Sequence, residues 1–267
     1  MAIRVGTKII PRIYVGSKSI AKIYVGEREV YPGNKLIIPP GTLYLLASST
    51  LYTVAIPSGQ LTSIGRLVET NDSPFTINGA RGLTTIGDTM YMCNAPINFG
   101  WGLYTVNTST GACTRVGTDN DPNPPFGTGG LSPTGIASIG DTLYMTDSFN
   151  LFTINLTTGR ATLIGGHLGG SLGPATGLTS IGDTLYMIVR LNRFDDAIFT
   201  VDRSTASTTL IGRIDRFSTG ITSIQNKLYI GSDRIDLFNR FTGQSYPITP
   251  RFSIASLFAN SLAFIPS

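Results

Sequence analysis

The sequence predicts an all-β chain: a five-bladed β-propeller over residues 35–267, preceded by a small antiparallel β-meander over residues 1–34. Three observations carry this. A four-strand unit of about 40–50 residues recurs through the larger segment. A ten-residue unit with a different rhythm recurs in the smaller one. The period changes at Pro32-Gly33-Asn34, a turn-forming stretch that suits a boundary.

The leading units are IRVGTKIIPR (3–12), IYVGSKSIAK (13–22) and IYVGEREVYP (23–32). Val-Gly recurs at Val5-Gly6, Val15-Gly16 and Val25-Gly26, each time followed by a polar and then a basic residue. Glycine at the first central position is what a type II′ hairpin turn needs, because that position takes φ > 0. Four short strands are expected near 3–5, 8–15, 18–25 and 28–31. Such a sheet cannot bury both its faces. It needs a second layer from its own propeller, a sister subunit or another protein. Arg12, Tyr14, Lys22 and Tyr24 are the docking candidates on that account.

Next come GLTTIGDTMYM (82–92), GIASIGDTLYM (135–145), GLTSIGDTLYM (177–187) and GITSIQNKLYI (220–230), each reading as two strands, A and B, around a tight turn. The turn pairs Gly87-Asp88, Gly140-Asp141, Gly182-Asp183 and Gln225-Asn226 suit type I′ geometry. Strands C and D follow in LYTVNTSTGACTRVG (103–117), LFTINLTTGRATLIG (151–165), IFTVDRSTASTTLIG (198–212) and IDLFNRFTGQSYPI (235–248). Their turn carries Gly111, Gly159 or Gly243. Ala206 breaks the pattern and should strain or reshape its copy.

A first copy runs from LIIPPGTLYLL (36–46) into LYTVAIPSGQLTSIG (51–65), and FSIASLFANSLAF (252–264) reads as a trailing A–B half-copy. Five blades with the half-copy helping to close the ring is the reading adopted; six, one incomplete, is the alternative. Apolar residues at period two should pack blade against blade. Val54, Val106, Ile154, Val201 and Leu237 are expected buried at equivalent strand C positions.

Charged residues are 13% of the chain, about half the usual share of roughly 25%, while glycine and hydroxyl side chains abound. The net charge of +4 resides in the leading segment, where seven basic side chains face Glu27 and Glu29. A near-neutral propeller argues against nucleic-acid binding, which needs a concentrated basic face. No run of about 18 apolar residues suggests a membrane span, and no apolar leader with a small-residue cleavage site follows Met1. Cys93 and Cys113 are expected as separate buried thiols on strands divided by a third.

Short, uniform A–B and C–D turns mark a structural face. The B–C and D–A connections vary and emerge together on the other face, where binding is expected. Candidates there are Phe99 and Trp101, whose rings could stack on a sugar, with Phe126, Arg190, Arg193 and Asp195. Asp119 and Asp121, with Asn123, have oxygen-ligand spacing, but the following Pro-Pro and the absence of a downstream carboxylate argue against a metal. His167 is the sole histidine and assembles no triad. The glycine-rich stretches lack the Lys-Ser/Thr of a phosphate loop. No catalytic residue, metal or cofactor is assigned, and the protein is read as non-enzymatic.

The decads resemble repeats of the form K-I-Y-V-G-x-K-x-V-Y-P at the ends of bacteriophage tail-associated proteins, a match over residues 3–32. That resemblance implies a virion structural protein of tail tip, baseplate or fibre, multi-copy or homo-oligomeric, with other tail proteins as partners through the meander and host glycan or another virion protein at the loop face. The four-strand unit also resembles bacterial propellers with L-Y-T-V-N-x-x-T-G repeats, which supports the fold and not an activity. Two alternatives stay open: a propeller enzyme acting on polysaccharide, in which Asp195-Asp196 would be the acidic pair, and a bacterial protein-interaction propeller. Otherwise Asp195 and Asp196 are expected in a solvated mixed-charge loop.

Overall fold

The computed structural model describes residues 13–15, 18–20, 23–25, 28–31, 40–70, 77, 79–94, 102–117, 133–166, 168, 173–192, 195–214, 217–218, 220–252 and 261–266. The chain divides into two compact units, Met1–Ile38 and Pro39–Ser267, against the expected break at 34/35. No helix among the described residues is long and apolar enough to cross a membrane.

In the first unit, β1 (Ile13–Val15) pairs with β2 (Lys18–Ile20), and β3 (Ile23–Val25) pairs with β4 (Arg28–Tyr31). The closing pairs Val15↔Lys18 and Val25↔Arg28 leave two residues between strands, as the Val-Gly units require. The expected strand over 18–25 is instead two strands in two separate hairpins. Each two-residue connection brings its own strands together at little loop-closure cost, so pairing stays local to the decad.

The second unit holds five blades. β5 (Gly41–Ala47), β6 (Thr50–Val54) and β7 (Leu61–Arg66) belong to the first; the two-residue strand β8 (Val68–Glu69) crosses to the second. There it pairs in parallel outside β9 (Ala80–Ile86), β10 (Thr89–Asn94), β11 (Gly102–Val106) and β12 (Ala112–Arg115). The third blade is β13 (Gly135–Ile139), β14 (Thr142–Thr146), β15 (Asn150–Ile154) and β16 (Ala161–Gly166). The fourth is β17 (Ala175–Ile181), β18 (Thr184–Arg190), β19 (Asp196–Val201) and β20 (Thr208–Ile214). The fifth is β21 (Gly220–Ile224), β22 (Lys227–Gly231), β23 (Ile235–Asn239) and β24 (Gln244–Pro247). Finally β25 (Ser261–Pro266) pairs antiparallel with β5, giving the first blade the order β25-β5-β6-β7.

The first blade is therefore assembled from both ends of the propeller sequence. The opening copy supplies B, C and D, and the trailing copy supplies A; the expected A–B half-copy contributes one strand among the described residues. Five blades result. The innermost strands neighbour one another in a closed cycle, β25 to β9, β13, β17, β21 and back to β25.

Each blade buries its faces against the next. Tyr44, Leu46 and Leu51 meet Met90, Met92 and Tyr104; Leu103 and Cys93 meet Ile136, Met145 and Ile154. Tyr144 and Leu151 meet Leu185, Met187 and Val201; Ile188 and Ile198 meet Leu228, Ile230 and Phe238. Val54, Val106, Ile154 and Val201 are buried as expected. Leu237 is not: Leu228 pairs with Phe238, as Leu185 pairs with Val201, so Phe238 holds the equivalent position and Leu237 is only half-buried. A one-residue slip in a strand exchanges its faces.

Strand D carries a device absent from a plain alternation. Register shifts at Leu51/Tyr52, Leu151/Phe152 and Ile198/Phe199 pass over Ile64, Ile164 and Ile211. Each of these bulged isoleucines packs against the inter-blade core, while Leu163 and Leu210 beside them stay exposed. The glycine after the bulge meets the C–D turn of the following blade. A Cβ on Gly65 would collide with the Thr110 carbonyl, and one on Gly212 would lie 2.6 Å from Gly243 Cα.

The turns repeat with small variations. Asn107, Asn155, Asp202 and Asn239 each accept two backbone N–H bonds through a side-chain oxygen, an Asx turn that starts the C–D connection. Ala206 keeps φ 60 and donates to the Asp202 carbonyl at 2.9 Å, as Gly111 donates to Asn107. It is strained and not reshaped. Gln225 and Asn226 both have positive φ, the type I′ signature; Gly87, Gly140 and Gly182 have it while Asp88, Asp141 and Asp183 do not. Those three turns depart from the expected type I′ toward type II′, because aspartate avoids the left-handed region when the preceding glycine can supply it.

Two outcomes test this architecture. Removing residues 261–267 should abolish cooperative urea unfolding, since β5 and the inner ring lose their partner; a retained two-state transition would contradict closure by β25. Gly135→Ala places a Cβ 2.5 Å from the Leu178 backbone nitrogen and should cost about 1–3 kcal/mol by overpacking. Gly87→Ala meets nothing within 4 Å and should cost only the left-handed strain of about 1–2 kcal/mol.

Candidate functional site

The loop face is built at the ends of strands B and C and the connections from D to the next A. Of the eight loop-face candidates, Phe99, Trp101, Asp119, Asp121, Phe126 and Arg193 lie outside the described residues, leaving Arg190 and Asp195. Of the docking candidates, Arg12 and Lys22 lie outside as well, and Tyr14 and Tyr24 occupy strands β1 and β3. His167 also falls outside. No group of three metal-ligating side chains occurs among the described residues.

Arg190 ends β18 and pairs across the sheet with Asp196, which opens β19. Its guanidinium carbon sits 3.7 Å from the centroid of the Phe217 ring, a cation–π contact. Its Nε lies 3.7 Å from Asp196 Oδ1. Asp196 Oδ2 accepts the Ser218 backbone N–H at 2.5 Å, tying the connection between the fourth and fifth blades to β19. Asp196 is fully buried, which corrects the expectation of a solvated loop carboxylate. Strand alternation sends it into the blade interface, whereas Asp195 stays half-buried at the end of the loop.

Asp195 closes a four-residue turn. It accepts from Asn192 Nδ2 at 2.9 Å, and its own N–H donates to Asn192 Oδ1. Burial pushes the Asp196 carboxyl up to about 6; the Ser218 N–H and then the Arg190 charge pull it back, and the Asp195 charge raises it. Among the described residues, the buried atoms Asp196 Oδ1, Ser218 Oγ and Arg190 Nε and Nη2 find no hydrogen-bond partner. This incompletely satisfied polar group is the kind of cost that functional faces carry. Sequence reasoning missed Phe217 and Ser218, because a loop aromatic and a serine carry no spacing signal.

One blade earlier, Asp147 Oδ1 accepts from the N–H groups of Phe149 and Asn150 at 2.9 and 2.7 Å. This turn presents Phe149 half-exposed, and the Leu168 and Ala175 N–H groups brace it on the carbonyls of Phe149 and Ser148. Phe149 and Phe217 are thus two exposed aromatics on the loop face.

The cysteines offer no nucleophile. Both are free and buried, with burial pushing each thiol up to about 12. They face opposite inter-blade cores, Cys93 toward the third blade and Cys113 toward the first.

No protein family model matches the chain, and no curated protein matches it. Among solved structures, a TolB-designated protein from Agrobacterium tumefaciens is similar with a TM-score of 0.50 and 14% identity, over 90% of this chain and 94% of that one. A protein of unknown function from Bacteroides thetaiotaomicron VPI-5482 has a TM-score of 0.49 at 15% identity over 85% of this chain. TolB from Acinetobacter baumannii has 0.47 at 13% over 79%. The chain spans 62% and 53% of the length of these last two. The strand order above makes the larger unit a five-bladed β-propeller, and the likeness to the Agrobacterium protein, at such identity, bears on architecture alone.

The buried carboxylate gives a pH test. Asp196 binds a proton in the folded protein near pH 6 but releases it near 3.8 when unfolded. Stability attributable to it therefore falls as pH rises from about 4 to 6, by the order of 2–3 kcal/mol. Asp196→Asn should gain on the parent across that window, measured by urea unfolding at pH 4 and pH 7. A variant-minus-parent difference that stays constant with pH would remove this assignment.

Proposed function

We propose that this protein is a non-enzymatic structural and binding component of a bacteriophage virion, docked by its leading hairpins and meeting host glycan or another virion protein through the propeller. The observation that carries the reading is the tandem decad. Two consecutive units form two-residue-loop hairpins of three- and four-residue strands, sheets too small to be stable alone in water. Such hairpins gain stability when a partner covers them, which is what a docking segment requires. Seven basic side chains in residues 1–35 add an electropositive character that an acidic partner would complement.

The propeller supports the binding half of the reading. A rigid ring holds two half-exposed phenylalanines and a stacked arginine on loops fixed by Asx turns and backbone bonds. Aromatic and arginine side chains on rigid supports are the usual anchors of recognition surfaces. Paired-carboxylate hydrolysis by Asp195 and Asp196 is disfavoured, since Asp196 is enclosed and one of its oxygens is engaged by Ser218.

Deletion of residues 1–32 should leave a soluble protein with propeller-like circular dichroism that no longer copurifies with particles. Undiminished incorporation of the deletion variant would overturn the docking role.

A further inference from the structure

At the outer rim, between the fourth and fifth blades, lies an open groove of about 480 Å³. Arg213 and Ile214 from the end of β20 form one wall with Asp195 from the neighbouring loop; Gln244, Ser245 and Tyr246 of β24 form the other. The walls are close because Gly212 and Gly243 let the two blades meet backbone to backbone.

We infer that this groove is a binding subsite for a neutral, hydroxyl-rich saccharide. Tyr246 is 47% exposed and lines the groove, so its ring is open to a ligand there. Its hydroxyl donates to Gln244 Oε1 at 2.6 Å, which fixes both side chains and keeps the Gln244 NH₂ group as a donor. Arg213 is exposed and makes no hydrogen bond or ion pair among the described residues. Asp195 commits Oδ2 to Asn192, and among the described residues Oδ1 has no donor and is an acceptor facing the groove. Vicinal hydroxyls both donate and accept, so they match a planar guanidinium, a carboxylate and an amide set around one space. The phenol ring supplies an apolar face for the C–H side of a pyranose. Arg213 and Asp195 cancel in charge, which favours a neutral sugar over a uronate. The volume falls in the range of small-molecule sites, roughly 300–1,000 Å³.

This inference rests on the glycan-binding part of the function proposed above and moves the contact from the loop tips to the rim. The test uses the full-length chain and ligand-observed saturation-transfer NMR with maltotriose, chitotriose and β-1,4-galactotriose, and with trigalacturonate as the acidic comparator. At least one neutral trisaccharide should bind, with affinity weakened about tenfold or more by Tyr246→Ala and by Arg213→Ala and largely kept by Tyr246→Phe. Thermal unfolding midpoints of these surface variants should match the parent. Leu163→Ala, an exposed side chain on the outer strand of the third blade, should leave binding unchanged. No neutral binding, or binding of trigalacturonate alone, would overturn the inference. Loss in Phe149→Ala with retention in Tyr246→Ala would also overturn it, placing the sugar on the loop face. None of these results alters particle incorporation, so the virion reading stands or falls separately.

Discussion

The structure depends on contact between neighbouring innermost strands. Ser138 Oγ donates to the Thr85 carbonyl at 2.7 Å, and Ser180 Oγ donates to the Ser138 carbonyl at 2.6 Å, the same position of strand A in successive blades. Ser261 Oγ accepts from the Leu83 N–H at 2.7 Å, joining the trailing strand to the second blade. These bonds are buried or half-buried, where an unpaired hydroxyl or amide would cost more than the bond contributes. The hydroxyl-rich composition is thus in part an interior requirement: it stitches strands that cannot share a β-ladder because they belong to different sheets.

Everything outward follows from that ring. A four-stranded blade with two apolar faces needs a neighbour on each side, and a circle gives every blade two. β25 completes the first blade by pairing with β5, so β5 becomes an interior strand and β25 takes the inner edge, beside β9 and β21 of the neighbouring blades. Radial splay then opens space between blades toward the rim. There the bulged isoleucines turn inward and the glycines beyond them admit the next blade's turn. The groove between β20 and β24 is one consequence of this geometry. The enclosed Asp196 is another: a carboxylate at the start of strand C, on the side facing the next blade, has nowhere to reach water.

The fold was largely legible. Four near-identical A–B segments, glycine-containing C–D turns and period-two apolar residues specified the blades, and the half-copy at 252–264 announced closure. The site was less so. Leu237 and Phe238 stand side by side in an alternation that fits either register, and only the pairing of Phe238 with Leu228 decides between them. Asp195 and Asp196 look alike as a charged dipeptide, yet one lines a groove and the other is sealed between blades. Phe217 gains meaning only from Arg190, 27 residues earlier in the chain, stacking on it.

By itself the sequence determined the repeat, the strand pattern and the tight turns, because these are written in residues close along the chain. The tertiary structure decided which end of the chain completes the first blade, where strand D bulges, which carboxylate is buried and which polar groups share the rim groove. Those outcomes depend on surfaces from different blades meeting, and no local spacing encodes which strangers in sequence become neighbours in space.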